Sequence, residues 1–72
     1  MADVTIRFRC GALVRRQVRR TLDRMLRDLP TEVRGDWWED AGWVQSVFYV
    51  RFTGDSKLVN DWTQAVFDFA PP

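Results

Sequence analysis

The hydrophobic positions of this chain follow two different spacings in its first half, and each spacing predicts one element. Residues 3–10 alternate between apolar and polar side chains, which is typical of a strand with one buried face. Residues 12–29, which include Leu13 and Val14, place their apolar side chains at helical spacing instead. Pro30 follows directly, and proline cannot continue a helix, so the predicted helix ends there.

The second half of the chain predicts a β-hairpin and another helix. Gly35 marks the end of the loop after the first helix, and residues 36–39 and 43–53 form the predicted hairpin arms, with the turn at 40–42. Residues 57–69 return to helical spacing. The predicted order is β-α-β-β-α.

This order predicts a single α+β domain over residues 1–72. Handedness and helix packing favour an antiparallel three-stranded sheet with both helices on one face. The arrangement resembles a ferredoxin-like sandwich lacking its last strand, and that resemblance implies that the third strand lies in the centre, between the first and the second. The other face of the sheet is then uncovered.

Alternation along each element assigns side chains to the two sides of the sheet. The predicted core contains Ile6, Phe8, Val18, Leu22, Met25, Phe48, Val50, Leu58 and Trp62. Val44 and Phe52 follow the same buried register as Phe48 and Val50, and Cys10 falls in the buried register of the first strand. The predicted uncovered face contains Arg7, Arg9, Trp43, Val47, Tyr49 and Arg51, together with either Trp37 or Trp38.

Composition narrows the ways in which so small a domain can be stabilised. Cys10 is the only cysteine and there is no histidine, so a disulfide framework is excluded and neither a structural zinc site nor any other metal or cofactor is predicted. A lone thiol fits a reduced, cytoplasmic setting. No apolar run approaches the length of a membrane span, and residues 1–4 lack the pattern of a signal peptide.

The charge is unevenly distributed along the chain. Residues 1–34 hold nine arginines and four acids, whereas residues 35–72 hold one arginine, one lysine and six acids. This asymmetry can steer a partner or align two copies, or it can simply follow the elements that the charges decorate. The first helix is the most basic element, and arginine suits phosphate and carboxylate recognition, although a solvated helix face is the alternative.

The residue types required for common catalytic chemistry are scarce. Without histidine there is no Ser-His or Cys-His pair, and no glycine-rich phosphate loop is present. The acids Asp36, Glu39 and Asp40 lie near the predicted turn, where paired carboxylates could do acid–base work or could keep the turn soluble. We therefore predict no catalytic residues and a protein that is not an enzyme.

Part of the chain resembles the middle of an acylphosphatase. The resemblance covers residues 33–62 and is carried by Gly42-Trp43-Val44, Gly54 and Trp62. It implies the ferredoxin-like fold. Acylphosphatases also need an arginine-bearing phosphate loop after the first strand and a later asparagine, but residues 9–15 lack the loop's glycine pattern, and Gln45 and Ser46 occupy the positions where the asparagine would follow. A degenerate acylphosphatase-like enzyme is thus a third hypothesis.

A shorter stretch resembles the RNA recognition motif. Tyr49-Val50-Arg51-Phe52 matches the Phe/Tyr-Val-x-Phe ending of its third strand, whereas residues 45–48 lack the basic, glycine-containing start. The first strand carries Arg7 and Arg9 where an aromatic residue would be expected. The resemblance implies binding of RNA or single-stranded nucleic acid, which is the alternative function.

Exposed aromatic and arginine side chains favour a binding surface. The predicted binding residues are Arg7, Arg9, Arg16, Arg20, Arg27, Trp43, Val47, Tyr49, Arg51 and Phe67. The leading hypothesis is a small non-enzymatic protein-binding module, of the regulator or inhibitor type that phages and mobile elements encode. Under this hypothesis the partner is a protein, and we predict that the chain binds neither a membrane nor a small-molecule substrate.

Self-association is one form of this hypothesis. The chain ends in Pro71-Pro72, so no fourth strand is expected to cover the first strand, whose backbone groups would then stay unpaired along one side. A homodimer is predicted, either through that edge or through the open sheet face. The alternative is a monomer completed by a different protein.

Overall fold

The computed structural model describes residues 1–69 and has the element order that the hydrophobic pattern predicts. The elements are β1 (Ala2–Gly11), a short 3₁₀ helix (Ala12–Val14), α1 (Arg15–Arg27), β2 (Val33–Ala41), β3 (Gln45–Gly54) and α2 (Ser56–Phe69). The strands form one antiparallel sheet in the order β1-β3-β2, with the helices on one of its faces. The predicted α+β fold, with the third strand in the centre, is confirmed.

The central strand β3 sets the register of the whole sheet. Ala2 and Val33 both lie opposite Gly54, on β1 and β2 respectively. Further along the sheet, Arg7 and Trp38 both lie opposite Tyr49. Side chains therefore form straight rows of three that cross the sheet at right angles to the strands.

The core lies between the sheet and the two helices. Its buried apolar residues are Ile6, Phe8, Cys10, Val18, Leu22, Val33, Phe48, Val50, Phe52, Val59 and Val66. The rings of Phe8 and Phe48 stack at its centre, with centroids 5.5 Å apart. Of the predicted core, Met25, Leu58 and Trp62 are only partly buried, but they pack against this cluster, and the other six residues are buried.

The first helix is shorter than the sequence predicts. Residues 12–14 form a 3₁₀ turn, and α1 ends at Arg27, where the backbone N–H of Asp28 donates to the carbonyls of Arg24 and Met25. Leu13 and Val14 are therefore exposed rather than part of the buried helix face.

The hairpin is longer than predicted at its start, and its turn lies further along the chain. β2 begins at Val33, which is buried, whereas the sequence pattern predicts loop up to Gly35. Gly35 is part of the strand and lies opposite Phe52, and the side chains of Leu26 and Leu29 rest on its backbone, where a Cβ would collide with them. The turn lies at residues 42–44, not 40–42.

Because the turn lies further along the chain than predicted, one residue assigned to the buried side of β3 lies outside the strand. Val44 lies in the turn and is 81% exposed, so its predicted burial beside Phe48 is wrong. Ser46, the first residue in that register within the strand, is fully buried instead.

Two expectations concern the chain ends and membranes. The prediction that Pro71-Pro72 prevents a fourth strand lies outside the described residues 1–69. Within those residues, neither helix has the length and apolar character required to cross a bilayer.

Candidate functional site

One face of the sheet is covered by no helix in the described part of the chain, and we call it the open face. Its side chains come from alternate positions of each strand. They are Asp3, Thr5, Arg7 and Arg9 of β1, Gln45, Val47, Tyr49, Arg51 and Thr53 of β3, and Arg34, Asp36, Trp38 and Asp40 of β2.

The row Arg7–Tyr49–Trp38 crosses the middle of the open face. The rings of Trp38 and Tyr49 stack with centroids 5.4 Å apart and an angle of 8° between their planes. Trp38 is nevertheless 47% exposed. The row thus presents two stacked, nearly parallel aromatic rings in register with an arginine.

The neighbouring tryptophan lies on the other side of the sheet, which settles the choice that the sequence left open. Trp37 packs against Phe48, with ring centroids 5.9 Å apart. Its indole Nε1 donates a 3.0 Å hydrogen bond to Oδ1 of Asp23 on α1. Trp37 therefore helps to hold α1 on β2, and Trp38 belongs to the open face.

At one end of the open face, Arg51 is held by an acid from the neighbouring strand. Its Nε and Nη2 atoms donate to the carboxylate oxygens of Asp3 at 2.9 and 2.6 Å. This paired hydrogen bonding lowers the pKa of Asp3 and raises the pKa of Arg51. Within residues 1–69 no such partner holds Arg7, Arg9 or Arg34, so these three guanidinium groups are the open face's available cations.

Charges of opposite sign lie along the two edges of the open face. Arg7 and Arg9 lie on β1, whereas Asp36 and Asp40 lie on β2. Arg9 and Asp40 share one row, with Val47 between them. The face is therefore basic along one edge and mixed, with two acids, along the other.

The acids near the hairpin turn do not form a cluster. Asp36 and Asp40 lie on the open face, but Glu39 lies on the side that faces the helices. Within the described residues, no group of His, Cys, Asp or Glu side chains has the arrangement of a metal site. The paired carboxylates considered from the sequence are thus not brought together.

Glu39 instead forms a polar contact between the sheet and α1. Its carboxylate accepts hydrogen bonds from Nη2 of Arg19 at 2.9 Å and from the hydroxyl of Ser46 at 2.6 Å. The hydrogen bonds from Arg19 are the main reason that the pKa of Glu39 is lowered. Close by, Arg15 donates to the carbonyl of Gly42 at 2.6 Å, so both arginines fasten α1 to the hairpin.

Cys10 is buried, as its register predicts. Burial is the main cause that raises the pKa of its thiol, and the carboxylate of Glu39 adds to the effect. A thiol that is buried and protonated is a poor nucleophile.

The fold brings together half of the residues predicted to bind. Arg7, Arg9, Val47, Tyr49 and Arg51 share the open face, and Trp38 joins them. The exposed arginines of α1 and the exposed ring of Phe67 on α2 belong to the helical layer on the other side of the sheet. Those predicted residues are Arg16, Arg20, Arg27 and Phe67.

Trp43, the remaining predicted residue, lies in the hairpin turn and is fully exposed. The 3₁₀ helix approaches this turn, because the N–H of Ala12 donates to the carbonyl of Val44 at 2.9 Å. The exposed side chains of Leu13 and Val14 thus join those of Trp43 and Val44 at one end of the molecule. Sequence reasoning missed this apolar tip because helical and strand spacing assigned three of its four residues to buried or flanking positions.

Comparison with known proteins identifies no relative. No protein-family model, curated protein or solved structure matches the chain.

Proposed function

We propose that this chain is a small non-enzymatic protein-binding module that contacts its partner through the open face. The row Arg7–Tyr49–Trp38 supports this proposal most directly. Tryptophan, tyrosine and arginine are the residue types that most often dominate the binding energy of protein interfaces. Here they lie side by side at the centre of a surface that no helix of the described chain covers.

The layout of charge favours a protein over a nucleic acid as the partner. Asp36 and Asp40 would lie close to the phosphates of any strand that followed the open face, and like charges in contact are unfavourable. A protein surface can instead match the basic edge with acids and the acidic positions with bases.

Nucleic acid binding is the second candidate, favoured by Arg7 and Arg9 beside the ring of Tyr49. Aromatic rings and guanidinium groups both stack on unpaired bases. However, the arginines of α1 belong to the helical layer on the opposite side of the sheet, so the open face and the arginine helix do not form one continuous basic surface.

Three features of the chain support a role without catalysis. There is no histidine, the acids of β2 are divided between the two sides of the sheet, and the only thiol is buried. A regulator or inhibitor acts by occupying a partner's surface and needs no reacting group. The buried Cys10 also suits a reduced, cytoplasmic compartment.

Capture experiments with matched variants test the proposal. Tagged wild-type protein, a Trp38→Ala/Tyr49→Ala variant and an Arg16→Ala/Arg20→Ala variant are incubated with host lysate, with and without nuclease treatment, at two salt concentrations. The expected result is a protein that the wild type and the α1 variant retain, and that the open-face variant loses. Retention should depend little on salt, because the contact is mainly aromatic.

Two outcomes would contradict the proposal. A partner retained by the Trp38→Ala/Tyr49→Ala variant would show that the open face is not the contact. Loss of all capture after nuclease treatment, together with binding of single-stranded oligonucleotides that weakens steeply with salt, would favour the nucleic acid candidate.

A further inference from the structure

The outer side of β1 is a free sheet edge within the described chain. β1 pairs with β3 at every position from Ala2 to Gly11, and no other strand among residues 1–69 lies beside it. It has no proline and no break in register, two of the features that keep a second chain from pairing with an edge, and its charged residues Arg7 and Arg9 blunt the edge only slightly. Its backbone N–H and C=O groups on this side are therefore open to another strand.

An exposed aromatic side chain of α2, Phe67, lies on the same side of the molecule as this free edge. Phe69 packs edge to face on Phe8, with ring centroids 6.0 Å apart, and lines a groove with Val18 of α1. Residues two apart on a helix point in directions about 200° apart, so Phe67 lies on the flank of α2 away from α1. Because α1 packs on β2, that flank overlooks the free edge of β1. Phe67 is 56% exposed there.

We propose that the free edge of β1 pairs antiparallel with β1 of a second copy, with Ile6 opposite Ile6 of that copy. The contact uses a different surface from the open face, so it is independent of the proposed function. It joins two sheets into one of six strands and keeps all helices on the same side.

Side-chain alternation and charge select this register. Paired residues of antiparallel strands must lie on the same face, so a symmetric pair of strands centres on a single residue. Centring on Ile6 or on Arg7 gives the longest overlaps of Ala2–Gly11. Centring on Arg7 would place that arginine against its own copy, which is unfavourable.

Centring on Ile6 brings complementary residues together instead. On the open face, Asp3 lies opposite the second copy's Arg9, and opposite charges in paired positions stabilise a sheet. On the helix side, Val4 lies opposite the second copy's Phe8. Apolar residues thus meet apolar residues on one face, and charges of opposite sign meet on the other.

The helices fit the same arrangement. α2 packs on both β1 and β3, so it lies above the groove between them. With strands about 4.8 Å apart, the two copies of α2 would lie about 10 Å apart across the new seam, which matches the roughly 8–10 Å between packed helices. Phe69 lies over Phe8, close to the proposed two-fold axis at Ile6, so both copies of Phe67 become buried between the helices.

Sedimentation equilibrium at micromolar concentration tests the pairing, with circular dichroism melting to show that each variant folds. The wild type should be a dimer. Phe67→Glu should raise the dimer dissociation constant by about tenfold or more, whereas Trp43→Ala, which removes a fully exposed aromatic ring at the hairpin turn, should leave it unchanged.

Charge reversal and nuclear Overhauser effects test the register. Arg9→Asp should weaken the dimer, and Asp3→Arg combined with Arg9→Asp should restore it. In a dimer of labelled and unlabelled chains, Val4 methyl groups should show contacts with the Phe8 ring of the other copy.

An 8.5 kDa monomer throughout the micromolar concentration range, or a dimer that Phe67→Glu leaves intact, would overturn the proposal. So would contacts between Ile6 of one copy and Cys10 of the other, which are diagonal neighbours only in the Arg7-centred register.

Discussion

Ser46 and Glu39 lie diagonally across β3 and β2 on the helix-covered side of the sheet, and the Ser46 hydroxyl donates a 2.6 Å hydrogen bond to the Glu39 carboxylate. Arg19 of α1 binds the same carboxylate. A charged residue thus occupies a strand position that a core residue would normally take, and it is stabilised by one hydroxyl and one guanidinium. The ionised carboxylate is therefore part of what holds α1 on the hairpin.

We expect this contact to make stability depend on pH in the acid range. The pKa of Glu39 is lowered in the folded chain, so the folded state favours the ionised form. The resulting stabilisation is complete above the unfolded pKa of about 4.3 and is lost as the pH falls through the lower folded pKa. Urea denaturation of the wild type should show its midpoint fall over that range.

Glu39→Gln provides the comparison for this prediction. It should lower the urea midpoint at pH 7. It should also make the urea midpoint fall less steeply as the pH drops below the ordinary glutamate pKa of about 4.3. Asp3→Asn is the matched control, because the Arg51–Asp3 pair is exposed and such pairs contribute little. An acid dependence that Glu39→Gln leaves unchanged would contradict this account.

Phe48→Ala should be among the most destabilising substitutions in the core. Phe48 is fully buried and packs against both Phe8 and Trp37, so its loss leaves a cavity. We expect a loss of about 3–5 kcal/mol in the free energy of unfolding, measured by thermal or urea denaturation. Val47→Ala, on the open face of the same strand, should change stability by less than about 1 kcal/mol. A Phe48→Ala variant with unchanged stability would mean that the faces of β3 are reversed.

Alanine should have opposite effects at two strand-end glycines. Gly54 has φ +143°, and a Cβ there would collide with the backbone carbonyl of Glu32, so Gly54→Ala should destabilise by more than about 1 kcal/mol. Gly11 has φ −67° and open space around it, so Gly11→Ala should stabilise by about 0.4–1 kcal/mol. Melting temperatures that move in the same direction for both variants would contradict this assignment.

Cys10 should react with thiol reagents only when the chain opens. It is 5% exposed and the pKa of its thiol is raised, so both access and thiolate formation are reduced in the folded state. Labelling at pH 8 should be slow without urea and fast in it. A Cys10→Ser/Asp61→Cys variant, with its thiol on the exposed side of α2, should react quickly without urea. Rapid labelling of native Cys10 would contradict the burial of this side chain.

Local spacing explains why the element order could be predicted. Alternation over residues 3–10 and helical spacing over residues 57–69 are properties of short windows, and their ends lie close to glycines or prolines. Alternation also places Phe48 and Val50 on the buried side correctly, because both lie well inside the strand.

The binding surface could be predicted only in part, because some of its residues depend on distant contacts. On β2, a glutamate lies on the buried side and a tryptophan on the open face, so alternation alone cannot orient the strand. Glu39 takes its position through Arg19 of α1, and Trp37 through Asp23. The apolar tip was missed for another reason, since spacing cannot show that Leu13 and Val44 lie just beyond the ends of their elements.

The register of β1 has a consequence for the order of folding during synthesis. β2 joins β3 through a short turn, but Gly11 pairs with Gln45 and Ala2 with Gly54, so β1 needs closure of a much longer loop. Of the three described strands, β1 is made before the other two and is thus expected to pair last. Until β1 pairs with β3, its apolar side chains are exposed to other nascent chains. Arg7 and Arg9 interrupt that apolar run, as charged gatekeeper residues do in aggregation-prone segments.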